Sequence, residues 1–139
     1  YLGSLAQTIE GGVLLGAAGN GKLAAASRVD FAHAAAAVLT LDDQGGKIYE
    51  LGGDERLTYA ELAAVIGEIS GKSIAYKDVS ESEYAAILQG AGLPDFVATM
   101  LASADAGIAR GELDTDSGDL QALIGRASTP AAEVLRAAV

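Results

Sequence analysis

The chain contains no cysteine, and this absence excludes disulfide bonds and thiolate chemistry among its 139 residues. It has one histidine, His33, so the cysteine and histidine ligands of a typical zinc site are missing and we expect no bound metal. A triad of serine, histidine and acid would depend on this one helical histidine. We therefore expect no catalytic side chain in this chain.

Basic residues are also scarce, because 9 lysines and arginines stand against 19 acids and give a net charge of −10. Such a surface repels phosphate backbones, so we expect no nucleic acid and no anionic membrane as a partner. Long apolar runs are absent as well: the alanine-rich residues 31–41 fall short of the ~18 residues that cross a bilayer. We expect a cytoplasmic protein.

Apolar residues are plentiful, at 50% of the chain, which is enough for the core of one domain covering residues 1–139. The chain begins at Tyr1 without a methionine, inside an amphipathic segment. We interpret it as a piece of a longer protein.

Residues 16–22, GAAGNGK, have the glycine and lysine spacing of a nucleotide phosphate loop. The next residue is Leu23, however, where such a loop needs Ser or Thr to bind magnesium. Asn20-Gly21 is instead typical of a tight hairpin or turn. The residues therefore predict a turn, with the phosphate loop as the weaker alternative.

Gly19, Gly21 and Ala24 also imitate a dinucleotide fingerprint, and Asp42 and Asp43 lie near the distance at which such motifs place a ribose-binding acid. The helix that should follow the glycines directly is missing, which weakens this interpretation. Residues 114–125 begin like a calcium loop, but glycine or aspartate replaces its key residues. They predict an acidic turn before a helix.

Three helices are predicted from capping boxes, in which an acid follows Ser27, Thr58 or Ser80 by three positions. Further helices are expected over residues 2–9, from Pro94 onward, and over residues 120–124 and 130–135. Phe96, Val97, Met100 and Leu101 form an apolar stripe on the helix that starts at Pro94. Residues 47–53 and 73–79 have the composition of strands. The expected fold class is α/β, as an α+β lobe that is mostly helical with a few short strands.

Four segments, taken in order, resemble the C-terminal half of the NmrA-like NAD(P)H:quinone oxidoreductases, which are atypical short-chain dehydrogenase/reductases. They are GGVLLGAAGNGKLAAASRVDFAHAAAAVL, KIYELGGDERLTYAELAAVIGEISGKSIAYKDVSESEYAAIL, GLPDFVATMLAS and DLQALIGRASTPAAEVL. The resemblance covers essentially all of the chain. It implies the C-terminal substrate-binding lobe of a Rossmann-type reductase whose N-terminal half is absent here.

The resemblance implies a function for the complete protein, which would transfer a hydride from NADPH to a quinone. The NADP cofactor would be bound mainly by the N-terminal half, so this chain alone should be inactive. A lobe without its other half would expose an apolar face, which favours a homo-oligomer.

Site residues also follow from the resemblance, which places Ala24, Ala25, Ala26 and Ser27 against the quinone, with Ala26 in the most direct contact. Small side chains suit this position because a flat ring must approach the nicotinamide closely. The competing interpretation is that these alanines only pack a strand. Arg28 and Asp30 would support the following helix, and Tyr1 would lie at the rim of the pocket.

Two other functions fit the resemblance. NmrA-like proteins include non-catalytic regulators that sense the ratio of NADP to NADPH and bind a protein partner. A sugar-nucleotide enzyme of the extended reductase type is a third alternative, which would need polar or basic residues where this chain has alanine.

Overall fold

The computed structural model describes residues 4–139. Over these residues the chain forms seven helices, α1 (Leu5–Gly11), α2 (Arg28–Thr40), α3 (Tyr59–Ser70), α4 (Glu81–Gly90), α5 (Asp95–Ala109), α6 (Asp119–Ile124) and α7 (Ala131–Arg136). Its four short strands in the same range are β1 (Val13–Gly16), β2 (Lys22–Leu23), β3 (Leu57–Thr58) and β4 (Ala75–Asp78). The expected fold class, a mostly helical α/β lobe with few strands, is confirmed. Tyr1 and Leu2, which the sequence assigned to the pocket rim and the first helix, lie outside the described residues.

The strands form two small sheets. In the first, β1 runs parallel to β4, with Leu14 opposite Tyr76. In the second, β2 runs antiparallel to β3, with Lys22 opposite Thr58. Because β1 and β2 pair with different partners, of the two forms that suit Asn20-Gly21, a hairpin or a turn, the hairpin does not form.

The predicted turn at residues 18–21 is confirmed, since the N–H of Gly21 donates to the carbonyl of Ala18 at 2.9 Å. The positive φ of +54° lies at Gly19 rather than at Asn20 or Gly21. Gly21 is required for a different reason: a Cβ there would lie 2.0 Å from the carbonyl oxygen of Ile108 on α5. The turn therefore packs directly on the backbone of that helix.

The strand predicted for residues 47–53 is wrong, because this segment has no ladder pairing. Its Ile48 is exposed and has no sheet to pack on. The segment ends in Gly52 and Gly53, and a Cβ on Gly53 would lie 2.0 Å from the carbonyl oxygen of Ala25. The two glycines instead let this segment lie against residues 24–25.

The predicted helix starts are confirmed. Ser27, Thr58 and Ser80 are the N-caps of α2, α3 and α4, and each side-chain oxygen accepts the N–H of the residue three positions on. At α3 the box is reciprocal, because the Glu61 carboxylate accepts the N–H of Thr58 at 2.8 Å. These starts depend on contacts within four residues, which is why the sequence reveals them.

The core is built around α3. Its members come from α1, β1, the turn, α3, α5 and α7, and they are Leu5, Leu14, Ala18, Tyr59, Leu62, Ala63, Ile66, Ile108 and Leu135. Leu62 and Ile66 are one helical turn apart and face the same side. This core fixes β1 and α7 relative to α3, and α7 lines the site described next.

The apolar stripe predicted on α5 does not face the core. Phe96 and Met100 are 76% and 59% exposed. The helix packs instead through its opposite face, where Ala98, Ala102 and Asp105 are buried. Asp105 on this face contacts the glycine-rich turn, since its Oδ2 accepts the N–H of Ala17.

Candidate functional site

An open, mostly apolar cleft of about 750 Å³ lies beside the N-terminal end of α2. Its lining consists of Leu23, Ala25, Ala26, Ser27, Arg28, Val29, Glu55, Leu57, Leu62, Thr129, Ala131, Val134 and Leu135. One wall is the extended segment that leads from β2 into α2, and the opposite wall is α7 with the residues before it. Apolar clefts of this size with few polar groups are the usual form of small-molecule sites.

Three of the four site residues expected from the sequence line this cleft, namely Ala25, Ala26 and Ser27. Ala24 does not, because it is buried behind them. Its N–H donates to the carbonyl of Leu113 at 3.0 Å, and its carbonyl accepts the N–H of Gly53 at 2.9 Å. Ala24 thus anchors the wall to two neighbouring segments, and the next three residues face the cavity.

Ser27 both lines the cleft and starts α2. Its Oγ accepts the N–H of Asp30 at 3.0 Å, which satisfies one of the free donors of the first helical turn. Ser27 is therefore held in place by the helix it caps, and the cleft wall is fixed at its C-terminal end.

Asp30 connects the two walls. Its carboxylate is fully buried and accepts the N–H of Thr129 at 2.8 Å and the Thr129 hydroxyl at 3.3 Å. It also forms an ion pair with Arg126. Burial alone would raise the pKa of Asp30, but the hydrogen bonds from Thr129, Arg126 and Ser27 outweigh it and lower that pKa to about 2. The carboxylate is therefore ionised at neutral pH.

Two further carboxylates hold the opposite wall. Asp54 and Ser128 form a reciprocal pair, in which the N–H of Asp54 donates to Ser128 Oγ at 2.8 Å and the N–H of Ser128 donates to Asp54 Oδ2 at 2.7 Å. Glu55 Oε2 accepts the N–H of Ala131 at 2.7 Å. Residues 128–131 are thus tied to the rest of the lobe through their backbone donors.

The supporting role expected for Asp30 matches these contacts, whereas the one expected for Arg28 does not. The Arg28 side chain lines the cleft and makes no hydrogen bond or ion pair with any residue between Ser4 and Val139. The N-cap hydrogen bond of α2 is made by Ser27, and Arg28 is the first residue of the helix.

The loop that resembles a phosphate cradle is filled by the chain's own side chains. The N–H of Ala17 donates to Asp105 Oδ2 at 2.9 Å, that of Ala18 to the Tyr76 hydroxyl at 3.0 Å, and that of Gly19 to Asp78 Oδ1 at 2.9 Å. These three successive donors would otherwise form an anion-binding nest. Two carboxylates and a phenol take the place that phosphate oxygens would need.

The same side chains bond one another across the loop. The Tyr59 hydroxyl donates to Asp105 Oδ1 at 2.7 Å, and the Tyr76 hydroxyl donates to Asp78 Oδ1 at 2.7 Å. Burial raises the pKa of Asp105 and, together with the hydrogen bond to Asp78, that of Tyr76. Tyr76 and Asp78 share a face of β4, as the alternation of residues 73–79 predicts.

The remaining candidates from the sequence do not form a site. His33 is exposed on α2 and lies 3.5 Å from Arg126. Asp114 at the start of the calcium-like loop pairs with Arg56. Between residues 4 and 139, no group of three His, Cys, Asp or Glu side chains could hold a metal ion. In the same range no helix is long and apolar enough to cross a membrane.

Sequence reasoning missed the far wall of the cleft. Glu55 lies between Asp54 and Arg56, after a pair of glycines, in no recognisable motif. Val134 belongs to a predicted helix, but nothing in the sequence indicates what it faces. Thr129-Pro130 gave a signal for a helix start, but not for what that helix faces. No local pattern connects these residues with Ala25 and Ala26, since Glu55 lies about 30 positions away and Thr129 and Val134 more than 100.

No family model matches the chain. Quinone oxidoreductase 2 of Escherichia coli is 47% identical over 133 residues, which are 96% of this chain and 46% of that protein. Agroclavine dehydrogenase of Claviceps fusiformis is 36% identical over 107 residues, 75% of this chain and 37% of that protein. The chain therefore spans less than half the length of these curated relatives.

Two solved structures share the fold. The NADPH-dependent quinone oxidoreductase from Escherichia coli superposes with a TM-score of 0.94 and 46% identity, covering 97% of this chain and 49% of that one. Triphenylmethane reductase from Citrobacter, complexed with NADP(H), has a TM-score of 0.91 and 34% identity, covering 98% and 47%. Fold and sequence together define a lobe of a Rossmann-type reductase.

In sequence and fold the chain matches the C-terminal half of the Escherichia coli quinone oxidoreductase, the likeness expected of an NmrA-like, atypical short-chain dehydrogenase/reductase. The resemblance inferred from the four sequence segments is thereby confirmed.

Proposed function

We propose that residues 1–139 form the substrate-binding lobe of an NAD(P)H-dependent quinone oxidoreductase, which transfers a hydride from NADPH to a quinone. The observation that carries the proposal is the apolar cleft beside Ala25 and Ala26, in a chain 47% identical to quinone oxidoreductase 2 of Escherichia coli. NADPH supplies the hydride, and the lobe supplies the binding surface for the ring that accepts it.

The lining of the cleft suits a flat, apolar ring. Ala25 and Ala26 present only methyl groups, so a ring can lie close to the backbone of residues 25–26 without a bulky side chain in between. Leu57, Leu62 and Val134 supply apolar surface around it. Excluding water in this way strengthens the electrostatic interactions that a hydride acceptor experiences.

The residues of this chain fit the ring and not the phosphates of the cofactor. The backbone donors of Ala17, Ala18 and Gly19 are already bonded to Asp105, Tyr76 and Asp78, so these three successive donors of the glycine-rich turn are not free for a pyrophosphate. In our proposal NADP is bound mainly by a Rossmann half outside these residues. The lobe alone is then inactive.

The decisive experiment measures NADPH oxidation at 340 nm with 1,4-naphthoquinone, using the full-length gene product and this chain in parallel. We expect turnover by the full-length protein only. Turnover by residues 1–139 alone would contradict the division of roles. A full-length protein that binds NADPH but reduces no quinone would favour the non-catalytic regulator. Capture of a protein partner that depends on NADP would then support that alternative.

Ala26 provides the residue-level test. In the full-length protein, Ala26→Leu should raise the KM for naphthoquinone about tenfold or more, because the added carbons occupy the space of the ring. The KM for NADPH should stay unchanged. Ala35→Leu is the matched control, since Ala35 is exposed on α2 and does not line the cleft. Equal kinetic effects of the two variants would remove Ala26 from the binding surface.

A further inference from the structure

Among the described residues that line the cleft, only Arg28 and Glu55 carry a charge. The rest of the lining is apolar, or small and uncharged. Within residues 4–139, these two side chains are therefore the ones in the lining that could balance a charge on a bound ligand.

Glu55 is committed to the protein itself. Its Oε2 accepts the N–H of Ala131, the first residue of α7, at 2.7 Å. A carboxylate at this end of a helix is stabilised by the free backbone donors there. Glu55 therefore acts as part of the wall.

Arg28 is available to a ligand. Arg56, Arg110 and Arg126 each form an ion pair, whereas Arg28 and Arg136 pair with no residue between Ser4 and Val139, and of these two only Arg28 lines the cleft. The chain has 19 acids for 9 basic residues, so an unpaired guanidinium is not explained by a shortage of carboxylates. Arg28 directly follows Ser27, at the end of the wall that Ala25 and Ala26 form.

We propose that Arg28 binds an anionic substituent, a carboxylate or a sulfonate, on the ring that occupies the cleft. The inference rests on the proposed function and names its substrate class, quinones that carry an acidic group. The planar guanidinium can donate two parallel hydrogen bonds to such a group while the ring lies against Ala25 and Ala26. In a lobe of net charge −10, a local cation also favours the approach of an anionic substrate.

The test compares two quinones with the full-length protein, neutral 1,2-naphthoquinone and 1,2-naphthoquinone-4-sulfonate. Because their reduction potentials differ, the quantity to compare is the change in kcat/KM from one variant to another for each quinone. For the sulfonate, Arg28→Gln should lower kcat/KM about tenfold, the size expected for one charge-assisted contact. For the neutral quinone the change should stay within about twofold, and the KM for NADPH should not move.

Two variants separate this role from general effects. Arg28→Lys keeps the charge and should recover part of the activity with the sulfonate. Arg136→Gln removes one positive charge from α7. Because Arg136 neither lines the cleft nor forms an ion pair within residues 4–139, kcat/KM for both quinones should stay unchanged. Raising the ionic strength should reduce the wild-type activity with the sulfonate more than that of Arg28→Gln.

Three results would overturn the inference. Equal losses with both quinones in Arg28→Gln would assign Arg28 a structural role. A raised KM for NADPH with either quinone would assign it to a cofactor phosphate instead. A wild-type protein that reduces neither quinone would reject the proposed function and this inference together. The first two results would reject the inference alone, because the wild-type protein would still reduce quinones.

Discussion

The buried carboxylate of Asp30 and the guanidinium of Arg126 form an ion pair between residues that lie 96 positions apart. The pair joins the first turn of α2, directly after the cleft residue Ser27, to the segment that leads into α7 on the opposite wall. The two partners differ in exposure, since the Asp30 side chain is 0% exposed and that of Arg126 is 45% exposed. The spacing between the walls therefore depends mainly on the buried member.

This asymmetry predicts unequal effects of removing either partner. Asp30→Ala should lower the free energy of unfolding by about 3 kcal/mol or more, because it leaves the Thr129 donors and the Arg126 charge without their acceptor. Arg126→Gln should cost about 1 kcal/mol or less, since Thr129 still bonds Asp30 and the guanidinium is half exposed. Urea unfolding of both variants measures the difference. Equal losses would mean that the ion pair, and not the buried carboxylate, holds the walls.

The lowered pKa of Asp30, to about 2, predicts how its contribution depends on pH. Unfolded aspartate has a pKa of about 3.9, so the stabilisation by ionised Asp30 is complete above that value and is lost as the pH falls toward 2. The stability difference between wild type and Asp30→Asn should therefore shrink between pH 4 and pH 2. Taking the difference removes the contribution of the other acids, and a difference independent of pH in that window would contradict the assignment.

Local signals made much of the fold predictable from the sequence. The starts of α2, α3 and α4 follow from the caps at Ser27, Thr58 and Ser80, because each depends on a hydrogen bond to a residue three positions away. Residues 47–53 were misassigned for the opposite reason. Whether an apolar stretch becomes a strand depends on a partner elsewhere in the chain, and here two glycines pack on residues 24–25 instead.

The candidate site was predictable only on one side. The four sequence segments placed Ala25, Ala26 and Ser27 at the substrate through their resemblance to a family, and these residues do line the cleft. The opposite wall depends on contacts such as that between Asp30 and Thr129, which are 99 positions apart. No periodicity or motif in one sequence encodes a pairing over that distance, so Glu55 and Val134 became visible only in the structure.

Asp105 should show a pH dependence of the opposite sign to that of Asp30. Burial raises its pKa, so ionisation at neutral pH is disfavoured in the folded state. Stability from this group is complete below the unfolded pKa of about 3.9 and is lost as the pH rises through the raised folded value. The stability of wild type relative to Asp105→Asn should therefore increase as the pH is lowered from 7 to 4, measured by urea unfolding. A decrease would show that the bonds from Ala17 and Tyr59 outweigh the burial.

Gly21 tests how closely the turn must approach α5. A Cβ at this position would lie 2.0 Å from the carbonyl oxygen of Ile108, and backbone at this distance cannot yield without moving the helix. Gly21→Ala should therefore cost about 3 kcal/mol or more in the free energy of unfolding. Gly45→Ala is the matched control, because a Cβ there meets nothing within 4 Å and its φ is not positive, so its effect should stay within about 0.5 kcal/mol.

The same variant connects the turn to the cleft. Moving α5 away from Gly21 would also move Asp105 away from the N–H of Ala17, and the neighbouring donors of the turn would follow. Since β2 continues from this turn into the wall that carries Ala25 and Ala26, Gly21→Ala in the full-length protein should raise the KM for quinone as well as lower stability. If stability falls while the KM stays at the wild-type value, the wall is positioned by its bonds to Leu113 and Gly53 and not by the turn.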